Sequence, residues 1–445
     1  MSTEAVDAAV RRVIARRPDL GMAPESVADG LTAGEGTEMI HQAAVQQWLW
    51  WHLPRRYPEE DWTSLADAAA ELLDELGLAQ LAQVARSDET TAVLGAWENG
   101  SDRGAKAFRN AHGVSGVEPP DTELLAWGSV MGGDEAVALD TVERALGDAV
   151  RSGELVPGAQ RWRSRATAIT EQVLTRRLDL PPGQTLVGLV ITERLGQWVN
   201  SARHPLLGEW RASVAKRLLH PIEPPPDPGK GIAPLRWLLE LASAPRGAEL
   251  TQSNYLARAA VLEAVERFGW WDWPKPPHSE AEVHQLSTVR QAATRLRLVR
   301  RRGRRLHTTT RGAQLLAQPA DLWRAVAAET EDGEEFTQMV TELAGLRLLR
   351  GSVELGELAA EVGPILAALG WSTSSGPITT NEVSSAIWRP LRWWRLLSGL
   401  DEAESTWERG TGRRLTPHTL ALSVGGEATV LAYLRSRTAG PRYRL

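Results

Sequence analysis

The chain has 445 residues, of which 42% are apolar and 24% charged, a composition typical of globular proteins and a length that predicts two to four domains. Its 50 basic and 56 acidic residues give a net charge of −6, so any strongly basic surface must be local. The absence of cysteine excludes disulfides, thiolate zinc sites and cysteine nucleophiles.

The N-terminal part predicts a helical region over residues 1–219. The first five residues lack the basic and apolar segments of a secretion signal, and no apolar run approaches the roughly 18 residues of a membrane span, so we expect a cytoplasmic protein without membrane contact. Apolar residues recur at helical spacing over 64–78, 134–150 and 166–180. These patterns predict one or two all-helical bundles.

The chain contains nineteen tryptophans but three phenylalanines. Three local groups occur, at 48–51, 270–273 and 388–394, and each adjoins a helical apolar pattern. Indole rings can stack on bases, but beside such patterns they more often bury a large surface between packed elements. We therefore interpret the tryptophans as packing residues.

A proline-rich segment at 220–231 predicts a linker. Five prolines lie within the eight residues from Pro221 to Pro228. Proline lacks the N–H that a helix interior needs, and closely spaced prolines favour an extended, semi-rigid chain. We expect this linker to separate the helical region from the remainder.

The remainder predicts two copies of one domain, the first repeat (232–328) and the second repeat (336–437). Gly269-Trp270 corresponds to Gly370-Trp371 at an offset of 101 residues, and the tetrapeptide at 303–306 recurs at 412–415. Each repeat predicts a helix, a short extended piece, a second helix, a turn, a third helix and a β-hairpin. In the first repeat the hairpin covers 298–308 with its turn at 301–303.

The segment from Leu306 to Leu316 is similar to the wing exit of bacterial winged-helix regulators, where a threonine caps a helix that starts with a basic residue and glycine. The winged helix-turn-helix resemblance covers 232–328 and, in the second copy, 336–435. The stretch 232–328 also resembles the C-terminal part of uncharacterised proteins of high-GC bacteria. The resemblance implies a mainly α fold, with a helical N-terminal bundle followed by tandem winged-helix domains of helices and a short β-hairpin. Winged helices bind proteins as well as DNA.

The candidate site is a basic segment in the first repeat. Residues 283–320 contain nine arginines and no acidic residue, so this segment carries +9 and leaves −15 for the rest of the chain. The predicted recognition helix, 280–297, places polar side chains opposite its apolar face, and the hairpin adds a run of arginines. Such side chains reach base edges and phosphates. The predicted nucleic-acid-binding residues are Arg290, Gln291, Thr294 and Arg297 on the helix, and Arg300, Arg301, Arg302, Arg304 and Arg305 on the hairpin.

The second repeat does not share this chemistry. Its predicted third helix carries Arg389, Arg392 and Arg395 but is expected to be interrupted by Pro390. Its hairpin contains four acidic residues that would repel phosphate: Asp401, Glu402, Glu404 and Glu408. We expect this repeat to contact a protein partner or to mediate self-association.

Catalytic motifs are weak. The Gly229-Lys230 pair lacks the upstream glycine and the following Ser/Thr of a phosphate-binding loop. Glu38 and His41 have the spacing found in di-iron bundles, but a second copy of that motif does not occur.

No catalytic, cofactor or metal residue is predicted, and the leading hypothesis is a non-enzymatic protein that binds double-stranded DNA. The alternatives are a protein-interaction adaptor in a mobile-element or defence setting, whose arginines pair with acidic residues, and an enzyme with a site in the helical region.

Overall fold

The computed structural model is mainly α-helical, as predicted, and contains a few short strands. Contacts divide the chain into two compact units, one that extends to Glu193 and one formed by Arg194–Gly440, and the boundary falls within a helix, Leu186–Asn200. The structure describes residues 3–32, 36–178, 183–271, 273–329, 334–373, 376–397, 400–402 and 419–440.

The first unit consists of helices around two apolar cores, one built from side chains between Val6 and Ala111 and one from side chains between Leu125 and Val190. The predicted helices at 64–78, 134–150 and 166–180 are present with shifted ends. The helices are α1 Thr3–Arg16, α2 Ala23–Thr32, α3 Gln42–Gln47, α4 Leu53–Arg56, α5 Trp62–Glu75, α6 Ala79–Ala85, α7 Asp88–Glu98, α8 Ser101–Val114, α9 Gly133–Ser152 and α10 Trp162–Thr175.

Tryptophans serve as packing residues in this unit. Between α3 and α4 the chain forms a π-helical turn, Trp48–His52, in which Trp48 and Trp50 are buried. Pro54 has no N–H to donate to the carbonyl of Trp50, and the indole Nε1 of Trp97 donates to that carbonyl instead, at 3.0 Å. The predicted packing role holds for these rings, while Trp273 in the second unit is 75% exposed.

The second unit contains both repeats. It begins within α11 Leu186–Asn200. Its further elements are α12 Pro205–Ala215, α13 Pro228–Gly231, α14 Ala233–Ser243, β1 Ala248–Glu249, α15 Arg258–Phe268, α16 His284–Arg295, β2 Val299–Arg302, β3 Arg305–Thr308, α17 Thr310–Leu316, α18 Pro319–Ala327, α19 Glu335–Leu348, β4 Val353–Glu354, α20 Leu355–Ala368, β5 Ser372–Thr373, β6 Gly376–Pro377, α21 Thr380–Leu396, β7 Leu400–Glu402, β8 Thr419–Leu422 and α22 Val424–Thr438.

The two repeats have the same order of elements. In the first, α14, β1, α15, α16, β2 and β3 follow one another, and the antiparallel sheet has the order β1-β3-β2. In the second, α19, β4, α20, α21, β7 and β8 follow in that order, and the sheet has the corresponding order β4-β8-β7. Thr309 and Ser423, which follow β3 and β8, both cap the next helix by accepting the N–H three residues on. The two repeats thus share this order, and the second has in addition the strand pair β5–β6 between α20 and α21. Residues 404, 408 and 412–415 lie outside the described part.

The boundary between the units lies before the proline-rich segment, whereas we predicted it at residue 220. Residues 194–219 pack with the second repeat because Arg211, on α12, forms a buried ion pair with Glu342, on α19, at 2.7 Å. The indole of Trp198 donates to the same carboxylate oxygen at 3.0 Å. Residues 221–227 form neither helix nor strand, and Asp227 caps the short helix α13.

Helix α21 differs from its prediction. It continues through Pro390, which is buried within it, because the remaining helical bonds and the packing of Leu391, Trp393 and Trp394 hold its two halves together. Its side chains Trp393 and Leu396 line a small apolar cavity together with Val289 of α16. The second repeat thus packs on the first.

Candidate nucleic-acid interface

Helix α16 forms the centre of the candidate interface. It covers His284–Arg295, which is shorter than the predicted 280–297. The residues before it form a 3-10 turn at Glu280–Glu282, and the helix ends because Arg297 takes a left-handed backbone with φ +57°. Arg297 therefore follows the helix and does not belong to its outer face.

The two faces of α16 agree with the predicted pattern. Leu286, Val289 and Ala293 are buried, while Gln291 and Thr294 are exposed. The Thr294 hydroxyl donates to the carbonyl of Arg290 one turn earlier, at 2.8 Å. The exposed side borders a surface depression of about 330 Å³, lined by Arg290, Gln291, Thr294 and Arg295.

Two arginines of this helix are paired with acidic residues. The Nε of Arg290 lies 2.6 Å from the buried carboxylate of Glu280. Arg295 lies 3.5 Å from Glu329, the residue that follows the first repeat. Sequence reasoning missed both partners because they lie outside the acid-free window, which is bounded in the sequence by Glu282 and Asp321. Neither of these nearest carboxylates forms an ion pair with Arg290 or Arg295, so nearness in the sequence did not indicate the pairing.

The basic hairpin (residues 299–308) follows α16. Its turn lies at Gly303-Arg304, slightly later than predicted, and Gly303 supplies the positive φ of +58° that a two-residue hairpin turn requires. Arg304 donates from Nε to the carbonyl of Leu250 at 3.3 Å, which ties the turn to the chain after β1.

In the part of the chain that the structure describes, the arginines of the basic hairpin have no acidic partner. Within the described residues no carboxylate oxygen lies within 4.0 Å of their guanidinium nitrogens, and the same holds for Arg297. Only Arg305 is partly covered, and its Nη1 lies 3.5 Å from the carbonyl of Gly247. The exposed arginines of the hairpin are Arg300, Arg301, Arg302 and Arg304.

Strand pairing concentrates this charge on one face of the sheet. Val299 and Leu306 point to the core and are buried, so the alternation of side chains places Arg300, Arg302 and Arg305 on the opposite face. Arg302 and Arg305 are directly paired across the strands. Like charges in that arrangement destabilise a hairpin.

One carboxylate borders this face. Glu249 of β1 is exposed and pairs across the strands with Arg305, although no contact within 4.0 Å forms between their charged atoms. Sequence reasoning missed Glu249 because only the sheet order β1-β3-β2 brings β1 beside the hairpin.

Other chemistry finds little support. Within the described ranges, no group of three or more acidic or histidine side chains could hold a metal ion. His41 is buried, caps α3 and lies 2.8 Å from Asp140, while burial lowers its pKa. This geometry gives His41 a structural role. No helix in the part of the chain that the structure describes combines the length and apolar character needed to cross a bilayer.

Comparison with known proteins relates one segment to a family. Residues 232–321 match the family model described as Y4jL N-terminal domain. The matched stretch contains α14 to α17 and β1 to β3, so it holds the whole candidate interface. Neither a curated protein nor a solved structure matches the chain.

Proposed function

We propose that this chain is a cytoplasmic, non-enzymatic protein that binds double-stranded DNA through a winged-helix domain formed by the first repeat. Helix α16 would face the major groove, and the basic hairpin would act as the wing that follows the phosphate backbone. The second repeat would serve assembly, through a protein partner or self-association, since Asp401 and Glu402 in β7 disfavour phosphate.

The observation that carries this proposal is the unpaired charge of the basic hairpin. Several arginines elsewhere are matched by carboxylates: Arg12 and Arg16 lie 2.5 and 2.7 Å from Glu75, and Arg86 lies 2.7 Å from Asp74. The hairpin arginines lack such partners among the described residues and include a directly opposed arginine pair. A polyanion would relieve this repulsion and release its own counterions on binding.

The test compares two variants with equal change of charge. In the first, Arg300, Arg301 and Arg302 become alanine. In the control, Arg151, Arg165 and Arg324 become alanine; each of these is an exposed arginine paired with a nearby carboxylate. Binding to duplexes of unrelated sequence is measured by fluorescence anisotropy between about 50 and 200 mM salt.

The hairpin variant is expected to bind all duplexes more weakly and to lower the log-log salt slope by roughly 0.9 for each phosphate that it no longer neutralises. The control should retain the wild-type slope. If both variants lost duplex affinity equally, only the total charge of the chain would determine binding, and the basic hairpin would have no special role. Wild-type protein that binds no duplex at about 50 mM salt would overturn the proposal.

The adaptor hypothesis is the second candidate, and the pairing of Arg290 with Glu280 favours it. That ion pair shows that acidic residues of the chain itself engage part of the basic segment. An adaptor would use the basic hairpin to hold an acidic protein surface. Binding to an acidic peptide polymer such as polyglutamate, with affinity equal to that for duplex DNA, would support it.

A further inference from the structure

Glu280 connects three parts of the first repeat through one buried carboxylate. The residue is fully buried, with 0% exposure. Its Oε2 accepts the backbone N–H of Leu256 at 2.7 Å, ahead of α15, and its Oε1 accepts Nε–H of Arg290 at 2.6 Å. Both oxygens are therefore occupied by donors whose positions the fold determines.

This contact restricts the orientation of Arg290. The guanidinium group is planar and presents its donors in a rigid fork. Glu280 occupies Nε, while the terminal Nη1 and Nη2 have no hydrogen-bond partner among the residues that the structure describes. The side chain is 23% exposed and borders the surface depression beside Gln291 and Thr294.

We propose that Glu280 is a positioning residue that aims the Nη1 and Nη2 of Arg290 at a guanine in the major groove. A guanine presents O6 and N7 as a pair of acceptors, which matches two terminal donors of an arginine. Because Nε is held, Arg290 loses less conformational freedom on binding than an unrestrained arginine. This inference rests on the proposed function, and it predicts a guanine preference at one position of the bound duplex.

The substitution Glu280→Gln separates this positioning role from simple packing. An amide has one acceptor oxygen and one donor group. In Glu280→Gln the side chain can therefore accept from only one of its two present donors, the N–H of Leu256 or the Nε–H of Arg290. Leaving the buried N–H of Leu256 unpaired is costly, so the amide oxygen should remain there and Arg290 should lose its acceptor. Glu282→Gln is the matched control, because Glu282 is exposed and, among the described residues, its carboxylate accepts only the backbone N–H of His278, at 3.2 Å.

The experiment selects preferred sites for the wild-type full chain from randomised duplexes and then measures affinity for all four base pairs at each position. Arg290→Ala should reduce the preference for guanine at one position by about tenfold. Glu280→Gln should reduce it at the same position by about threefold to fivefold, with an unchanged salt slope. The control should match wild type.

Three results would overturn the proposal: wild-type binding without any base preference, a preference that survives Arg290→Ala, or a preference that Glu280→Gln leaves intact. If Glu280→Gln does not fold, as judged by circular dichroism, Glu280→Asp provides the second test, because its shorter side chain keeps the charge but cannot reach both the N–H of Leu256 and the Nε–H of Arg290. A guanine preference that Glu280→Asp leaves intact would also overturn the proposal. If the wild-type chain binds no duplex at all, the proposed function fails together with this inference. If it binds duplexes but gives one of the results above, only the proposed role of Glu280 fails.

Discussion

The two repeats share their order of elements but differ in charge and in the use of the third helix. Strand β2 reads Val-Arg-Arg-Arg, while the corresponding β7 reads Leu-Asp-Glu. Helix α16 leaves Gln291 and Thr294 exposed, whereas α21 buries Trp393 and Trp394. The same order of elements therefore carries basic residues in the first repeat and acidic residues in the second.

The comparison shows that the shared order of elements fixes where a helix and a hairpin lie but not what they can bind. The shared core pattern supplies a helix and a hairpin at corresponding positions, but the outward side chains decide whether a polyanion or a protein surface can bind there. Packing of α21 beside α16 also gives the second repeat a structural role toward the first. Changes in the second repeat should thus alter stability, and changes in the first should alter binding.

The largest expected effect concerns the second repeat. Glu342→Ala should destabilise the C-terminal unit by about 3–5 kcal/mol, because it leaves the buried guanidinium of Arg211 without its carboxylate. Urea denaturation followed by circular dichroism measures this loss. Asp321→Ala, which breaks an exposed pair with Arg324, should cost less than about 1 kcal/mol. Equal costs for the two would contradict the structural role of the buried pair.

Much of this fold could be predicted from local patterns. Helical periodicity located α5, α9 and α16, and the glycine before Arg304 located the hairpin turn to within about one residue. The unit boundary could not be found in this way. Pro221–Pro228 indicates only where a helix cannot continue, while the boundary depends on the long-range pair of Arg211 with Glu342.

The second prediction exchanges the charges of the two repeats. The double variant combines Arg300→Asp with Arg301→Glu. It gives β2 the two acidic residue types that β7 carries at the corresponding positions, Asp401 and Glu402. Duplex affinity at about 100 mM salt should fall about 100-fold, since two phosphate contacts are replaced by repulsion. Anisotropy titrations measure the change. A fall of less than about threefold would mean that the basic hairpin does not contact phosphate.

The candidate site was predictable in its residue types but not in its ion pairs. The acid-free window located the basic hairpin, and strand alternation placed Arg300, Arg302 and Arg305 on one face. The window could not reveal that Arg290 is held by Glu280 or that Arg297 leaves the helix. Both depend on how the turn before α16 and the chain after it close on neighbouring elements.

The third prediction tests a feature that the repeats share. Thr309→Ala and Ser423→Ala each remove a hydroxyl that accepts a helix N–H, at 3.0 Å in both repeats. Each change should destabilise the C-terminal unit by about 1 kcal/mol. The shift in the urea midpoint should be similar for the two variants. A loss confined to one of them would show that the caps are not equivalent.

The smallest expected effect uses Glu249, whose position in β1 lies beside the basic face. Glu249→Gln should raise duplex affinity about twofold to threefold at about 50 mM salt, because it removes a negative charge paired across the strands with Arg305. The gain should shrink at about 500 mM salt, where screening shortens the range of the interaction. Glu354→Gln is the matched control: Glu354 occupies the corresponding place in β4, is exposed, and pairs with Thr419. An equal gain in both variants would reflect only the net charge of the chain, and a gain restricted to Glu249→Gln would locate the polyanion on the first repeat.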